Sequence, residues 1–470
     1  MRRRVRDLNT AAVRPGGKYV LYWSQMNRRV DANHALAHAC SVANQLGVPV
    51  LVYEGLTCAY PYANDRFHTF ILQAVPETRR RLAELGIGYI FYLRRRHSEP
   101  DDAFYRLAGF AAAVVTDDYP TFVTRGFNRS VPPKLNVAMC AVDSSCIVPM
   151  QCFEKREWAA YTIRPKIHRL LPDYLVDAPK IAVRHRYPAG TSPFDTEVTE
   201  SGIAALVASC EIDHSVAPST AFRGGREAAE AQLRLFLEER LRRYDAEKNE
   251  PSAHATSELS PYLHFGQIAA LEVALAARRH AVQHKLKADA FLEELIVRRE
   301  LAFNFVRHTG DYDSLDVLPD WVQKTMAAHR RDEREAVYTR EQFERAETHD
   351  DLWNATQQEL LRRGKIHGYY RMYWGKKIIE WSPSYETALA TMIYLHDRYA
   401  LDGRDPNTYT NILWCFGLHD RPWNERPVFG TIRYMSRGGM DRKTNVRAYL
   451  KEIGDLRRNG SEAGTQLLFT

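Results

Sequence analysis

The chain has 470 residues, 45% of them apolar and 26% charged, a composition that excludes a disordered chain, a fibrous repeat and a bundle of membrane spans. That length exceeds what one hydrophobic core sustains, so two domains are expected. A net charge of +7, from 65 basic and 58 acidic side chains, suits a polyanionic partner without demanding one.

Seven cysteines with no CxxC pair give neither a disulfide framework nor a zinc site, and no metal is expected. The opening MRRRVRD is basic, but no apolar stretch follows it, so it does not read as a secretory signal. No run is long enough to cross a bilayer. These features predict a soluble, cytoplasmic protein with reduced thiols.

From residue 18 to 150, short apolar runs alternate with helical patterns. KYVLYWS, VPVLVYEGL, GIGYIFYL, AAVVTDD and MCAVDSSCIV read as strands. ANHALAHACSVANQLG and DRFHTFILQAVPETRRRLAELG carry helical spacing and a closing glycine. The alternation predicts an α/β domain with a five-stranded parallel, Rossmann-like sheet. Neither GxGxxG nor GxxxxGK[ST] occurs in it, which argues against a dinucleotide or P-loop site.

Residues 151–223 read as a connector, punctuated by Pro165, Pro172, Pro179, Pro188, Pro193 and Pro218. Within it, EKREWAAYTIRPKIHRLL predicts one or two helices. From 224 to 470 the apolar spacing is helical throughout, so an all-α domain closes the chain.

Several residue groups in this half could carry chemistry. TSELSPYLHFG supplies hydroxyls at a helix start; an anion site and a plain cap, with Ser260 as N-cap, both fit. Glu294 and Arg298 stand one turn apart, the spacing of an ordinary ion pair on a helix. Their apolar neighbours Phe291, Leu292, Leu295 and Ile296 require some of these charges to be covered. Trp374 and Trp381 fall on nearly one helical face, roughly 10 Å apart along the axis, which suits either electron hopping or core filling. Arg371 and Asp402 are separated enough that only tertiary contact could pair them. Trp414 and Trp423 flank GLHDR and could be core residues or stacking platforms for a base. Arg433, Arg437, Arg442 and Lys443 could neutralise phosphates or simply be solvated.

In order, the words LSPYLHFGQI, FLEELIVRREL, RMYWGKKIIEW, LDGRDPN and HDRPW resemble the FAD-binding half of class II cyclobutane pyrimidine dimer photolyases. The resemblance covers about half the chain, with weaker similarity over the rest. It implies light-driven repair of dimers in UV-damaged DNA by a monomer. Photoexcited reduced FAD would donate the electron. It places Tyr244, Thr256, Ser257, Leu259 and Ser260 at the FAD diphosphate, and Arg298, Arg371, His396, Asp402, Asp405 and Asn407 around the flavin. Glu294 and Met372 would face the lesion. Asn249, Trp414, Asp420, Arg421, Arg433, Arg442 and Lys443 would contact the lesion or DNA strand. Trp353, Trp374 and Trp381 would reload the flavin with electrons.

The N-terminal domain would be an antenna domain, with a deazaflavin-type chromophore as the second cofactor suggested. The sequence departs from the family pattern where His396 replaces an asparagine expected near flavin N5. Phe303 stands where an acidic residue is usual, and Lys248 where an arginine precedes Asn249. The alternative implied by those departures is a photolyase-like light sensor with weak or no repair. A helical nucleic-acid binder without flavin is a third class.

Overall fold

The computed structural model describes residues 1–466. Six strands form one sheet: β1 (Val5–Asp7), β2 (Tyr19–Trp23), β3 (Val50–Thr57), β4 (Gly88–Arg94), β5 (Ala111–Asp117) and β6 (Met139–Val142). Their spatial order is β1-β6-β5-β2-β3-β4. The five expected strands are β2 to β6, and all their pairings are parallel.

The expectation of five strands is corrected by β1, which pairs antiparallel with β6, Val5 opposite Val142. Three residues with one apolar side chain give no periodicity to read. Its anchor is instead Arg4, whose buried guanidinium donates to the carbonyls of Asp143, Cys146 and Ile147.

Parallel strands joined by crossover helices are covered on both faces, which is why their sequences are nearly continuous apolar runs. Val20, Tyr22, Val52 and Val115 enter one core, and Leu21, Trp23, Leu51 and Val114 enter the other. After β6 the connector carries a long helix, Ala160–Tyr174, with Pro165 and Pro172 inside it, and a short one, Ile203–Ala208.

From Arg226 onward the described chain is helical. A further core is built by helices Asp351–Arg363, Gly368–Trp381, Tyr385–Tyr399 and Pro406–Cys415 around Trp353, Tyr370, Tyr373, Trp374, Trp381 and Leu395. Each starts on a side-chain cap: Asp350 accepts from the N–H of Trp353, His367 from Tyr369, Ser384 from Thr387 and Asp405 from Asn407.

The helices seat on the sheet through buried polar contacts. Tyr119 at the end of β5 donates to Asp405 at 2.6 Å, and Glu300 accepts from the N–H of Ile147 at 2.6 Å. Arg66 donates to the carbonyls of Leu360 and Tyr399. Among the described residues no helix is long and apolar enough to cross a membrane.

Candidate functional site: a buried ion pair beside a tryptophan chain

Helix Gly368–Trp381 carries Arg371, and the turn after helix Tyr385–Tyr399 carries Asp402. Arg371 Nη2 lies 3.0 Å from both carboxylate oxygens of Asp402. Ser260 Oγ donates to the same carboxylate at 2.7 Å. Burial pushes the Asp402 carboxyl up, but the Arg371 and Lys365 cations outweigh it and hold it below its ordinary value. The three residues expected beside the cofactor therefore meet in one buried cluster. Ser260 is not the N-cap that its place before Pro261 suggests; Leu259 occupies that position, and the Ser260 hydroxyl is spent on Asp402.

His396 is 1% exposed, with Nδ1 3.2 Å from the Met392 carbonyl. Burial, reinforced by Arg371, lowers its pKa to about 3, so the imidazole is neutral. Its Nε2 and the Nε of Arg371 are both buried without a partner. Two orphaned polar atoms beside Asp402 are a cost the fold would not carry unless another polar group met them. A flavin ring, rimmed by hydrogen-bonding nitrogens and carbonyls, fits that requirement.

The hydroxyl loop is more internal than its sequence suggests. Thr256 Oγ1 donates to Glu258 at 2.7 Å, and Lys365 Nζ lies 2.9 Å from the same carboxylate. Burial raises the Glu258 carboxyl, yet Lys365 outweighs it, and its pKa falls to about 2. The Ser257 carbonyl accepts from Gln232, and Leu259 is buried. Tyr244 is packed edge-on against Phe236 and Phe291. Asp405 accepts from Tyr119 and from the N–H and side-chain amide of Asn407, with His264 Nδ1 3.3 Å away. Phe303 is fully buried, edge-on to Tyr119 and under the Arg299 guanidinium.

Glu294 and Arg298 do not form the helical pair that their spacing suggests. Residues Glu293–Arg298 run as a π-turn, whose wider repeat brings Arg298 to Glu293 at 3.6 Å. Glu293 is also held by Arg164 at 2.6 Å. Glu294 is left 47% exposed, with Lys248 Nζ 3.6 Å away. Arg298 stands 5.7 Å over the Trp414 ring, and Met372 Sδ lies 3.9 Å from Cys415 Sγ. Asn249 is exposed beside Lys248.

The segment after Trp414 gathers the remaining residues. Asp420 accepts from the N–H of Arg421 and from Trp423 Nε1. The guanidinium groups of Arg421 and Arg433 lie 5.4 and 5.1 Å from the Trp423 ring. Arg442 and Lys443 are exposed in the last turn of helix Arg437–Lys443, whereas Arg437 is tied to Asp351 and Asp441.

The three indoles form a chain, in an order that the sequence does not reveal. Trp353 and Trp374 are stacked, centroids 6.3 Å apart and planes 5° from parallel. Trp381 meets Trp353, not Trp374, at 6.3 Å. Trp353 enters from helix Asp351–Arg363 and fills the gap between two residues of the neighbouring helix. Trp374 also touches His396 at 4.9 Å. Trp381 lines a surface cavity of about 330 Å³ with His349, Asp350 and Lys377. The chain thus runs from the orphaned polar atoms outward.

Sequence reading missed Tyr119, His264 and the Glu258–Lys365 pair. Tyr119 lies far from the helical half in sequence and carried no local mark. Lys248 was visible only as a substitution.

A mostly parallel α/β sheet joined to a helical half that holds a buried ion pair, unpartnered polar atoms and an indole chain defines the class of architecture, and comparison with known proteins supplies the family. The DNA photolyase pattern matches residues 20–184. The chain is 39% identical to the deoxyribodipyrimidine photo-lyase of Methanothermobacter thermautotrophicus, over 96% of this chain and 98% of that one. It is 39% identical to that of Oryza sativa subsp. japonica, covering 98% and 93%, and 35% identical to that of Potorous tridactylus, covering 92% and 81%. A bacterial class III photolyase from Agrobacterium tumefaciens has the same fold, with a TM-score of 0.66 at 15% identity over 94% of this chain and 87% of that one. The chain belongs to the DNA photolyase family and is an enzyme, a lyase.

Proposed function

We propose that this chain is a class II photolyase that repairs cyclobutane pyrimidine dimers in UV-damaged DNA with FAD as its cofactor. The observation that carries the reading is the Arg371–Asp402–Ser260 cluster, with Arg371 Nε and His396 Nε2 orphaned beside it and Trp374 against His396. When bound, reduced FAD supplies the photoexcited electron that opens the cyclobutane ring and then takes it back, with no net redox change.

The protein's own residues set the conditions. Arg371 is a fixed cation that favours negative charge on its neighbour, and Asp402 orients it. Glu294, half-open to solvent, is available to hydrogen-bond a thymine edge and to steady the charge that develops there. Trp414 under Arg298 offers a platform for a base, and Met372 packs beside it through Cys415. Asn249, Asp420, Arg421, Arg433, Arg442 and Lys443 are the strand contacts. Trp381, Trp353 and Trp374, in that order, conduct electrons inward when the flavin is oxidised.

The organisation proposed is an antenna domain at 18–150, a connector at 151–223 and the catalytic domain at 224–470. A deazaflavin-type antenna remains the second cofactor proposed.

Illuminating dimer-containing DNA with the reduced, flavin-loaded protein should restore thymines. A loaded protein that restores none would instead support the light-sensor reading. Protein that is colourless and cannot be reconstituted with FAD would overturn both.

A further inference from the structure

Two large aromatic residues stand open to solvent where the connector enters its helix. Trp158 is 64% exposed and Tyr161 is 71% exposed, three residues apart at the start of helix Ala160–Tyr174. Exposed singly, such residues need no explanation. The segment that carries these two is joined to the candidate site on both sides.

On one side, the His419 imidazole donates through Nδ1 to the Trp158 carbonyl at 2.5 Å, and His419 immediately precedes Asp420 and Arg421. On the other, Arg164 on the same helix is bound to Glu293 at 2.6 Å. Glu293 meets Arg298, which covers Trp414. Trp158 and Tyr161 are therefore the outward continuation of the surface that Trp414 begins.

The charge along this stretch is mainly positive. Lys155 to Arg169 contains five basic residues and one acid. The Arg156 guanidinium lies 5.7 Å from the Trp158 ring and 4.8 Å from Phe305, and its buried Nε has no partner. An aromatic plane backed by a guanidinium, within a basic stretch, is the arrangement that holds unstacked bases next to a phosphate backbone.

We propose that Trp158 and Tyr161 form a second stacking platform, which takes an unstacked base of the DNA flanking the dimer. This rests on the repair reading above. Turning a dimer out of the helix leaves neighbouring bases without a stacking partner, and an exposed indole at the rim offers a replacement. The role is specific to binding: neither ring lies in the Arg371–Asp402 cluster or in the tryptophan chain.

The test compares the full-length, FAD-loaded protein with the W158A/Y161A variant. The probe is a duplex carrying one thymine dimer with 2-aminopurine as the adjacent base, read by titration and by quenching of the probe. Both substitutions keep the Trp158 carbonyl that His419 uses, and unchanged flavin absorbance and melting temperature confirm folding. The expected result is a loss of duplex affinity of roughly 5- to 150-fold, with weakened quenching, the range expected for losing one stacked base. W158F, keeping a ring, should recover most of both. Unchanged affinity and quenching in W158A/Y161A overturn the proposal, as does a change confined to self-association. Failure of the repair reading is separately visible, because the unsubstituted protein would then bind dimer-containing and undamaged duplexes equally.

Discussion

Trp353 lies flat against Trp374, 5° from parallel, although the two indoles belong to different helices. The Trp353 indole N–H donates to the Trp374 carbonyl at 3.0 Å, and Trp374 Nε1 donates to Gln357 at 2.9 Å, so both rings are fixed by hydrogen bonds as well as packing. Trp381 touches only the outer ring of this stack. Trp353 is consequently the link without which the other two are disconnected. Trp353→Phe is expected to abolish blue-light reduction of oxidised flavin, and Trp381→Phe to block it at the last step. Both should leave repair by pre-reduced protein intact. Absorbance of the bound flavin during illumination measures the first property and thymine restoration the second; normal photoreduction in Trp353→Phe would exclude the wire.

Asp402 joins Arg371 and Ser260, and removing it strands a buried guanidinium. Breaking such a pair from one side costs about 3–5 kcal/mol because the remaining charge is left unpaired. Asp402→Ala is expected to lose most of its flavin, measured as absorbance per protein after gel filtration. Thr256→Ala should lose much less, since its hydroxyl serves Glu258 within the fold. Equal retention in the two variants would remove Asp402 from the cofactor's surroundings.

Glu294 should separate binding from chemistry. It is half-exposed and makes only a 3.6 Å approach to Lys248, so its loss leaves no buried partner unsatisfied. Glu294→Ala is expected to keep full flavin content and a melting temperature within about 2 °C of the parent, as for a surface substitution. The yield of thymines per absorbed photon should fall by roughly tenfold, equivalent to about 1.4 kcal/mol of lost stabilisation. A yield equal to the parent's would assign lesion contact elsewhere.

What the sequence made readable follows from the range of the interactions involved. Strands β2 to β6 stand out because burial on both faces demands apolar runs, whereas β1 is held by Arg4 and has no pattern. Arg371 and Asp402 were brought to one place only through family resemblance, since nothing local links them. Periodicity placed Trp374 and Trp381 on one face, but it could not show another helix inserting Trp353 between them. The assumption of a regular helix also paired Glu294 with Arg298; a π-turn shifts the partner by one residue. Ser260 looked like a cap because its tertiary acceptor lies far along the chain.

Gly266 marks where the helical half meets the sheet. Its φ is +67°, and a Cβ there would stand 2.0 Å from the Met26 carbonyl oxygen. Arg29 also donates to the Gly266 carbonyl at 3.0 Å, which fixes the approach. Gly266→Ala combines a left-handed backbone with a backbone clash and is expected to cost at least about 2 kcal/mol. Gly438→Ala is the control, because its added Cβ meets nothing nearer than 3.6 Å. Urea denaturation of both variants tests the contrast, and similar midpoints would show that this seam yields easily.

Glu300 gives the same seam a pH dependence whose sign can be worked out. Burial raises its pKa from 4.5 to about 8, against the opposing effects of the Ile147 and Val148 N–H groups and Arg299; Asp143 adds to the rise. The folded protein therefore keeps this proton to about pH 8, while the unfolded chain releases it near pH 4.5. The stability that follows is fully present below the unfolded value and is lost as pH rises through the folded one. Glu300→Gln retains a neutral oxygen to accept from Ile147 and removes the titration. Its melting temperature should match the parent's near about pH 5 and exceed it near about pH 9, by an amount equivalent to about 1–3 kcal/mol. Calorimetry across that range decides it: parallel profiles for the two proteins would mean that the carboxyl is already ionised at neutral pH, held by its backbone donors rather than neutralised by burial.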